Sequence, residues 1–365
     1  MPGNKSTQKL RSGYSTGACA AAAAKGAMLR LMGKTPDQVT ITFPDSSRHN
    51  FELCRCMVTK QGAMATVVKD AGDDPDVTNG AEIGAIARMK PADSGLDQQI
   101  RLLGGEGVGI VTKPGLPVEV GNPAINPVPQ QMIRASIAEV LAEMDSTNQV
   151  VEVTLFIRDG GELAKKTLNE RLGVIGGLSI LGTTGIVRPV SASAWTDTIE
   201  SSMKVAKAAG LDRVQLSTGR TSEKAVLSKT GLPEEAGIMM GDYLRYALEA
   251  AARHQFSGVV MATMWAKLVK AALAIPQTHV RHGDLDPVQT ADLLFQLGLE
   301  KTKAEEFSQA NTAREIYDRL MQENRIDIVH QVCLKAQHTA QTWSGLPADV
   351  YLVTSEEGIV HHVLH

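Results

Sequence analysis

The chain has 365 residues, 43% of them hydrophobic and 21% charged, with a formal net charge of -3. That is enough for roughly two domains with a sizeable core, and it argues against global disorder. A near-neutral balance without a dense Lys/Arg block argues against a general nucleic-acid binder, and an aromatic content of 4% against stacking platforms for single strands.

The first predicted element is a helix over 15–32. Ser15 or Thr16 caps it, Ala20 to Ala24 propagate it, and Gly33 ends it. Strands follow at Val39 to Phe43, Phe51 to Val58 and Ala63 to Val68. Asp70 to Glu82 is an acidic turn leading into a helix, with Asn79 and Glu82 at the spacing of a capping box. Residues 98–121 read as strands around a Gly/Pro loop, and a helix near Gln130 to Met144 closes this half. The polar run Asp145 to Gln149 is the expected boundary, giving an α+β domain over 1–146 and an α/β domain over 147–365.

Beyond it, strands are expected at Val150 to Ile157, Val174 to Leu181, Arg213 to Leu216, Gly258 to Met264 and Val350 to Thr354. Helices are expected at Glu162 to Arg171, Trp195 to Ala209 and Tyr243 to His254, with more up to about Thr342. Alternation of this kind predicts a mostly parallel sheet covered by helices.

The four cysteines Cys19, Cys54, Cys56 and Cys333 show neither zinc spacing nor the density of a secreted disulfide scaffold. Cys54 and Cys56 would share one strand face; a soft-metal site there competes with the plainer reading of buried or half-exposed thiols. No apolar stretch reaches the roughly 20 residues of a membrane span. With a polar start and no basic leader, a cytoplasmic protein is expected.

Six segments carry candidate chemistry. Leu172 to Ser191 reads as strand, glycine-rich loop and helix, a pocket for a nucleotide-like molecule or, alternatively, a tight strand-to-helix turn. Arg11 with Ser15, Thr16 and Gly17 at a helix start would hold a carboxylate or phosphate; the plainer reading is a capped core helix. The loop around Gly104, Gly105, Gly107 and Lys113 is permissive enough to wrap a ligand, or is two tight turns around a strand. Asp70, Asp73, Asp74 and Asp76 lack EF-hand spacing and read as a solvated turn rather than a Mg²⁺ site. Thr218, Gly219 and Arg220 end a strand, and Lys267 and Lys270 share a helical face suited to an anion. His279 and His282 beyond them suit metal binding or acid/base work, against a plain polar loop.

The segments RSGYSTGACAAAAAKGA, DAGDDPDVTNGAEI, GGEGVGIVTKPGLPVEVGNPAINPVP, GGLSILGTTGIVRPVS and LSTGRTSE, in this order, closely resemble the CbiD family. That family comprises the cobalt-precorrin-5B (C1)-methyltransferases of the anaerobic route to cobalamin. The resemblance implies S-adenosylmethionine as methyl donor, a cobalt-bearing corrinoid precursor as acceptor, and no protein-bound metal. It places the donor at Gly176, Gly177, Thr183, Thr184 and Gly185, with Thr218 and Gly219. It places the macrocycle across the domain interface, near Arg11, Ser15 to Gly17, Gly104, Gly105, Gly107 and Lys113, with Arg220, Lys267 and Lys270 as further anion contacts. His279 is the implied group for proton handling. The chain departs from the family's G-K-L-x-K…T-H-S pattern at Ala266, Ala274 and Val280. No membrane or nucleic-acid partner is implied, while a homo-oligomer and transient contact with neighbouring pathway enzymes stay open. The rival readings are an ATP-dependent small-molecule kinase with its phosphate loop at 104–109, and a non-catalytic corrinoid carrier.

Overall fold

The computed structural model describes residues 10–91, 100–143, 149–189, 191–278 and 285–365, and every count below refers to these. The chain divides into two compact units, one ending at Ser191 and the next beginning at Ala192.

The first unit starts with strand β1 (Gly13–Tyr14) and helix α1 (Thr16–Leu31). Strands β2 (Gln38–Thr42), β3 (Arg48–Glu52), β4 (Arg55–Thr59), β5 (Gly62–Val68), β6 (Glu82–Pro91), β7 (Ile100–Gly104) and β8 (Ile110–Val111) follow. Helix α2 (Pro127–Leu141), strand β9 (Gln149–Ile157), helix α3 (Gly160–Ala164) and strands β10 (Val174–Ile175) and β11 (Ile186–Val187) complete it. Its main sheet runs β4-β5-β6-β9-β7, antiparallel except for the β7–β9 pair.

The alanine run explains how α1 sits. Ala18 and Ala20 to Ala24 are buried on every side, as expected of a helix apolar all round. They pack on small inward residues of the sheet (Ala65, Ala85, Ala87) and on α2. Small side chains on both partners let helix and sheet approach closely. Lys25 is the exception on this helix. Its ammonium reaches Glu139 of α2 at 2.5 Å and the Thr40 carbonyl of β2 at 2.8 Å.

Several expectations fail in this unit. The segment after Glu82 is strand β6, not a helix. Ile83, Ala85 and Ala87 repeat with period two and fill the buried face, and the Asn79 side chain accepts from the Ala71 N–H instead of capping a helix. The helix expected over Glu162 to Arg171 stops at Ala164. Thr167 Oγ1 donates to the Ala164 carbonyl and accepts from the Asn169 N–H, so its side chain competes with the ladder. The boundary expected at 146/147 lies instead after Ser191, because β9 is ladder-bonded to β6 on one side and β7 on the other. The polar run before β9 joins two parts of one unit.

The second unit opens with helix α4 (Ala192–Ala208) and strand β12 (Arg213–Ser217). Helix α5 (Arg220–Thr230), strand β13 (Gly237–Met239), helix α6 (Leu244–Arg253), strand β14 (Gly258–Thr263) and helix α7 (Trp265–Ala272) alternate after it. Helices α8 (Pro287–Gln296), α9 (Lys301–Phe307), α10 (Ala313–Gln322) and α11 (Ile326–Ser344) lead to strands β15 (Ala348–Thr354) and β16 (Gly358–Val363). The sheet order is β13-β12-β14-β15-β16, parallel but for β16. One face carries the large core formed with α4, α6, α7 and α11, and α5 covers the other. No described helix is long and apolar enough to cross a membrane.

Glu200 ties α4 to α6. It accepts from Tyr246 Oη at 2.9 Å, Arg253 Nη2 at 2.7 Å and His254 Nε2 at 2.6 Å. Burial alone would raise its pKa; the donated hydrogen bonds outweigh that and hold it at about 2. A depressed carboxyl stabilises the fold above its ordinary pKa and loses that contribution as pH falls through the folded value. Glu200→Gln should therefore lower unfolding free energy at pH 7 by about 1 kcal/mol, the scale of a partly exposed, solvent-screened cluster. The gap to wild type should close between about pH 4.5 and 2 in denaturant titrations; a gap constant over that range refutes the assignment.

Candidate functional site

The start of α1 is closed by its own chain. Ser15 N–H donates to the Gly185 carbonyl at 2.9 Å and Gly17 N–H to the Leu181 carbonyl at 3.0 Å. Ser15 Oγ accepts from the Ala18 N–H at 3.2 Å. Thr16 Oγ1 accepts from the Leu181 N–H at 2.9 Å. Ser15 and Thr16 are almost wholly buried. The donors expected to hold an anionic ligand are thus engaged by the loop expected to hold the methyl donor. The plainer reading, a capped core helix, describes this end.

The segment Leu172 to Ser191 is correspondingly not a sheet strand leading into a phosphate loop. Of the strand expected over Val174 to Leu181, Val174 and Ile175 alone form one, paired with β8. The chain then bridges Val108 from Leu178 and Ile125 from Ile180, crosses the start of α1, and pairs Ile186 and Val187 with β1. Gly182, at φ +128°, passes directly over the Ser15 side chain, where a Cβ would collide. Thr183 and Thr184 are exposed, and Thr184 Oγ1 closes a local turn with the backbone of Ile186.

The glycines at 104–107 are also committed. Gly107 has φ +74°, and a Cβ on it would run into the Ile157 carbonyl. Gly160 and Gly177 both abut the Gly107 carbonyl, and Gly105 lies against Thr154 and Leu155. Three stretches of backbone pass here without room for side chains. Gly104 packs on Pro123. This removes the basis of a phosphate loop at 104–109, and with it the kinase reading. Gly177 is enclosed in the same crossing, while Gly176 faces open space. Lys113 extends along Gly173 and reaches the Arg171 carbonyl at 3.3 Å.

The acidic turn is neutralised by Arg11 and Lys69, cations of the same unit that lie outside the turn. Arg11 forms a two-pronged ion pair with Asp70 (2.5 and 2.8 Å) and donates its backbone N–H to Asp73 at 2.6 Å. The hydrogen bond from Arg11 holds the Asp70 pKa at about 2. Asp76 takes the buried Lys69 ammonium at 2.7 Å. Arg11, expected to meet substrate, is a partner of this turn. Among the described residues no group of three or more His, Cys, Asp or Glu is placed to hold a metal ion. Cys54 is exposed, Cys56 is partly buried, and both are free thiols.

The second unit offers a more open constellation. β12 leads into α5 on one face of the sheet, and its neighbour β14 leads into α7 on the other. That reversal makes the carboxyl ends of the two strands a topological switch point, the place where α/β sheets ordinarily bind ligands. Thr218 Oγ1 and Thr263 Oγ1 face each other there at 3.4 Å. Gly219 has nothing within 4 Å of where a Cβ would stand, and Arg220 is exposed beside it. Neither α5 nor α7 has a side-chain cap at its start. At the adjacent strand end, Asp242 pairs with Lys267 and accepts from Thr278 Oγ1 at 3.1 Å. Lys267 and the buried Lys270 both donate to the Thr278 carbonyl, at 2.8 and 3.0 Å. The two lysines expected to meet a ligand anion thus anchor the segment that follows α7. His279, like Val280, Arg281, His282 and Asp284, lies outside the described residues.

Thr263 and Asp242 were missed in the sequence. The available signal was parallel: VQLST and VVMAT are both strand-like runs ending in threonine before a helix, and Asp242 follows the next strand in MMGD.

The family model for CbiD matches residues 3–189, and the model for the CbiD C-terminal domain matches residues 277–363. The chain belongs to the CbiD family. The first match ends within two residues of the break between the units, which supports a boundary there and not at 146. A cobalt-precorrin-5B C(1)-methyltransferase of Desulfotalea psychrophila is 50% identical over 97% of this chain and 98% of its own length. One from Geobacter metallireducens is 47% identical over 92% and 93%. A crystal structure of the cobalamin biosynthesis protein CbiD of Archaeoglobus fulgidus covers 72% of this chain and 79% of its own, at 26% identity and a TM-score of 0.40.

Within this CbiD chain, Gly107→Ala should cost about 3 kcal/mol or more, since backbone must move and a positive φ is lost. Gly219→Ala, extended and facing open space, should be neutral within about 0.5 kcal/mol. Thermal unfolding of the two variants checks the ranking; equal stabilities would contradict the close crossing. Lys270→Met should speed amide exchange at Gln277 and Thr278 by about tenfold, a loss of roughly 1.4 kcal/mol of local stability. Unchanged exchange there would show that Lys270 does not anchor the segment.

Proposed function

We infer that this chain transfers a methyl group from S-adenosylmethionine to C1 of cobalt-precorrin-5B, giving cobalt-precorrin-6A in anaerobic cobalamin biosynthesis. The observation that carries this reading is the near-full-length identity with cobalt-precorrin-5B C(1)-methyltransferases on both sides of the alignment.

Within the chain, the switch point between β12 and β14 fits the donor better than the loop at 176–185. The donor has a carboxylate, an ammonium and ribose hydroxyls. The start of α5 suits the carboxylate, because N–H groups and the helix dipole converge there. Thr218 and Thr263 offer hydroxyls that both donate and accept, and Gly219 leaves room for close backbone approach. Exposed Arg220, at the first position of α5, is placed for a carboxylate.

When bound, the donor brings a methyl group on a sulfonium, which passes intact to an electron-rich ring carbon. For such a reaction the protein's part is chiefly to orient the partners and keep water out. The Thr218–Thr263 pair joins the two strand ends. The Lys267–Asp242–Thr278 cluster fixes the start of the segment carrying His279, which we assign to proton handling after transfer.

Calorimetric titration with S-adenosylhomocysteine, with ATP as control, should show saturable binding of the former alone. Thr218→Val and Gly219→Val should each weaken it about tenfold, roughly 1.4 kcal/mol. Thr184→Val should leave it unchanged. Loss of binding in Thr184→Val with retention in the other two would return the donor to the first unit.

A further inference from the structure

The main sheet of the first unit has one face on α1 and another that faces outward. In antiparallel sheets the outward face is ordinarily polar. Here an apolar stripe crosses it. Met57, Met64, Ile86, Thr154 and Leu103 are successive register partners across β4, β5, β6, β9 and β7. Met57 is 46% exposed and Leu103 38%. Beside the stripe, the Phe156 ring covers its register partner Gly84, where any Cβ would meet the ring. Glycine at 84 thus makes room for the ring on this face. A groove of about 490 Å³ opens on this surface, lined by Met64, Ile86, Arg88, Gly105, Thr154 and Phe156, among others. That volume lies within the range of small-molecule sites.

Cations edge the stripe at both ends. On one side Glu152 is the register partner of both Arg88 and Arg101, and it pairs with Lys90 at 2.7 Å. On the other side Glu82 is shared by Arg55 at 3.3 Å and Arg158 at 2.9 Å. Each carboxylate is outnumbered, so both ends keep positive charge; Glu106 is the acidic residue in the groove lining. Exposed apolar side chains rimmed by charge suit a binding face. An apolar centre with cationic ends matches a flat conjugated ring carrying carboxylates on its periphery.

We propose that the outward face of this sheet, from Met57 to Leu103 with Phe156 as floor and Arg88, Arg101, Arg55 and Arg158 at its ends, is the seat of the polycarboxylate tetrapyrrole acceptor. The assignment rests on the methyl-transfer reading for its ligand. It moves the acceptor away from Ser15 to Gly17, whose donors are engaged, and uses Gly105 only as part of the groove wall.

The test uses the full chain and uroporphyrin I, a flat octacarboxylate tetrapyrrole whose fluorescence reports binding. Ile86→Glu attacks the apolar stripe, and Arg88→Gln removes a cation at an exposed position without setting a like charge opposite Glu152. Each should weaken uroporphyrin binding at least tenfold and leave S-adenosylhomocysteine binding unchanged. In methyl transfer, each should raise KM for the corrinoid more than it lowers kcat. Folded variants with wild-type uroporphyrin affinity and wild-type KM would overturn the proposal while leaving the methyl-transfer reading intact. Uroporphyrin binding that depends on these residues, in a wild-type chain that transfers no methyl group, would uphold the face and overturn that reading instead. A wild-type dimer that either variant dissolves, with unchanged tetrapyrrole affinity, would show that the face is covered by a second copy and would also overturn the proposal.

Discussion

The hydrogen bonds that close the start of α1 constrain most of the first unit. They join residues 15–17 to residues 181–185, the two ends of the unit in sequence. A helix start leaves N–H groups without partners, and a buried one must find acceptors. Here the acceptors are backbone carbonyls of a crossing loop. That fixes small residues on both sides: Gly182 over Ser15, and Gly17 beneath Leu181 and Pro129. The same closure pairs β11 with β1 and sets the alanine-rich helix against the sheet. Ligand binding at this helix start would have to displace the contacts that hold the unit together.

This is also where the sequence is most misleading. Helix α1 was legible almost to the residue, because its cap, its alanines and Gly33 all point to one local structure. The loop 181–185 was legible as a loop, but its glycines were assigned to a ligand. Glycine signals close approach without saying what approaches. In this unit the approaching group is the chain itself: backbone of Ile157 at Gly107 and of Gly107 at Gly177, and the Ser15 side chain at Gly182. Strand β6 was misread because Asn79 and Glu82 have capping-box spacing, while the period of two that decides the matter begins only at Ile83. Those are choices between local signals, and tertiary packing makes them.

The second unit was easier, since alternating strands and helices with short links leave few topologies. Its carboxyl-edge switch point was half visible: Thr218 and Gly219 were singled out, but their partner Thr263 was not. Contact across a parallel sheet depends on strand order, and strand order is not written in any one segment. The lysines at 267 and 270 were placed on one helical face, as the spacing requires. Their direction toward Thr278 rather than toward solvent follows from the turn after α7. The acidic turn shows the same limit in the other direction. Its carboxylates were readable as a cluster, but Arg11 and Lys69, which neutralise them, come from outside it.

The pairing of residues so far apart bears on how the chain is made. Thr16 and Leu181 are 165 positions apart, and Thr16 Oγ1 accepts a hydrogen bond from the Leu181 N–H. At ribosomal speeds of roughly 5–20 residues per second, α1 emerges about ten to thirty seconds before the loop that closes it. In that interval its N–H groups face water while the strands and α2 that its alanines pack on are still being made. A first helix built of alanine presents little large apolar surface while it waits, so the nascent chain carries less that is adhesive out of the exit tunnel than a leucine-rich helix would.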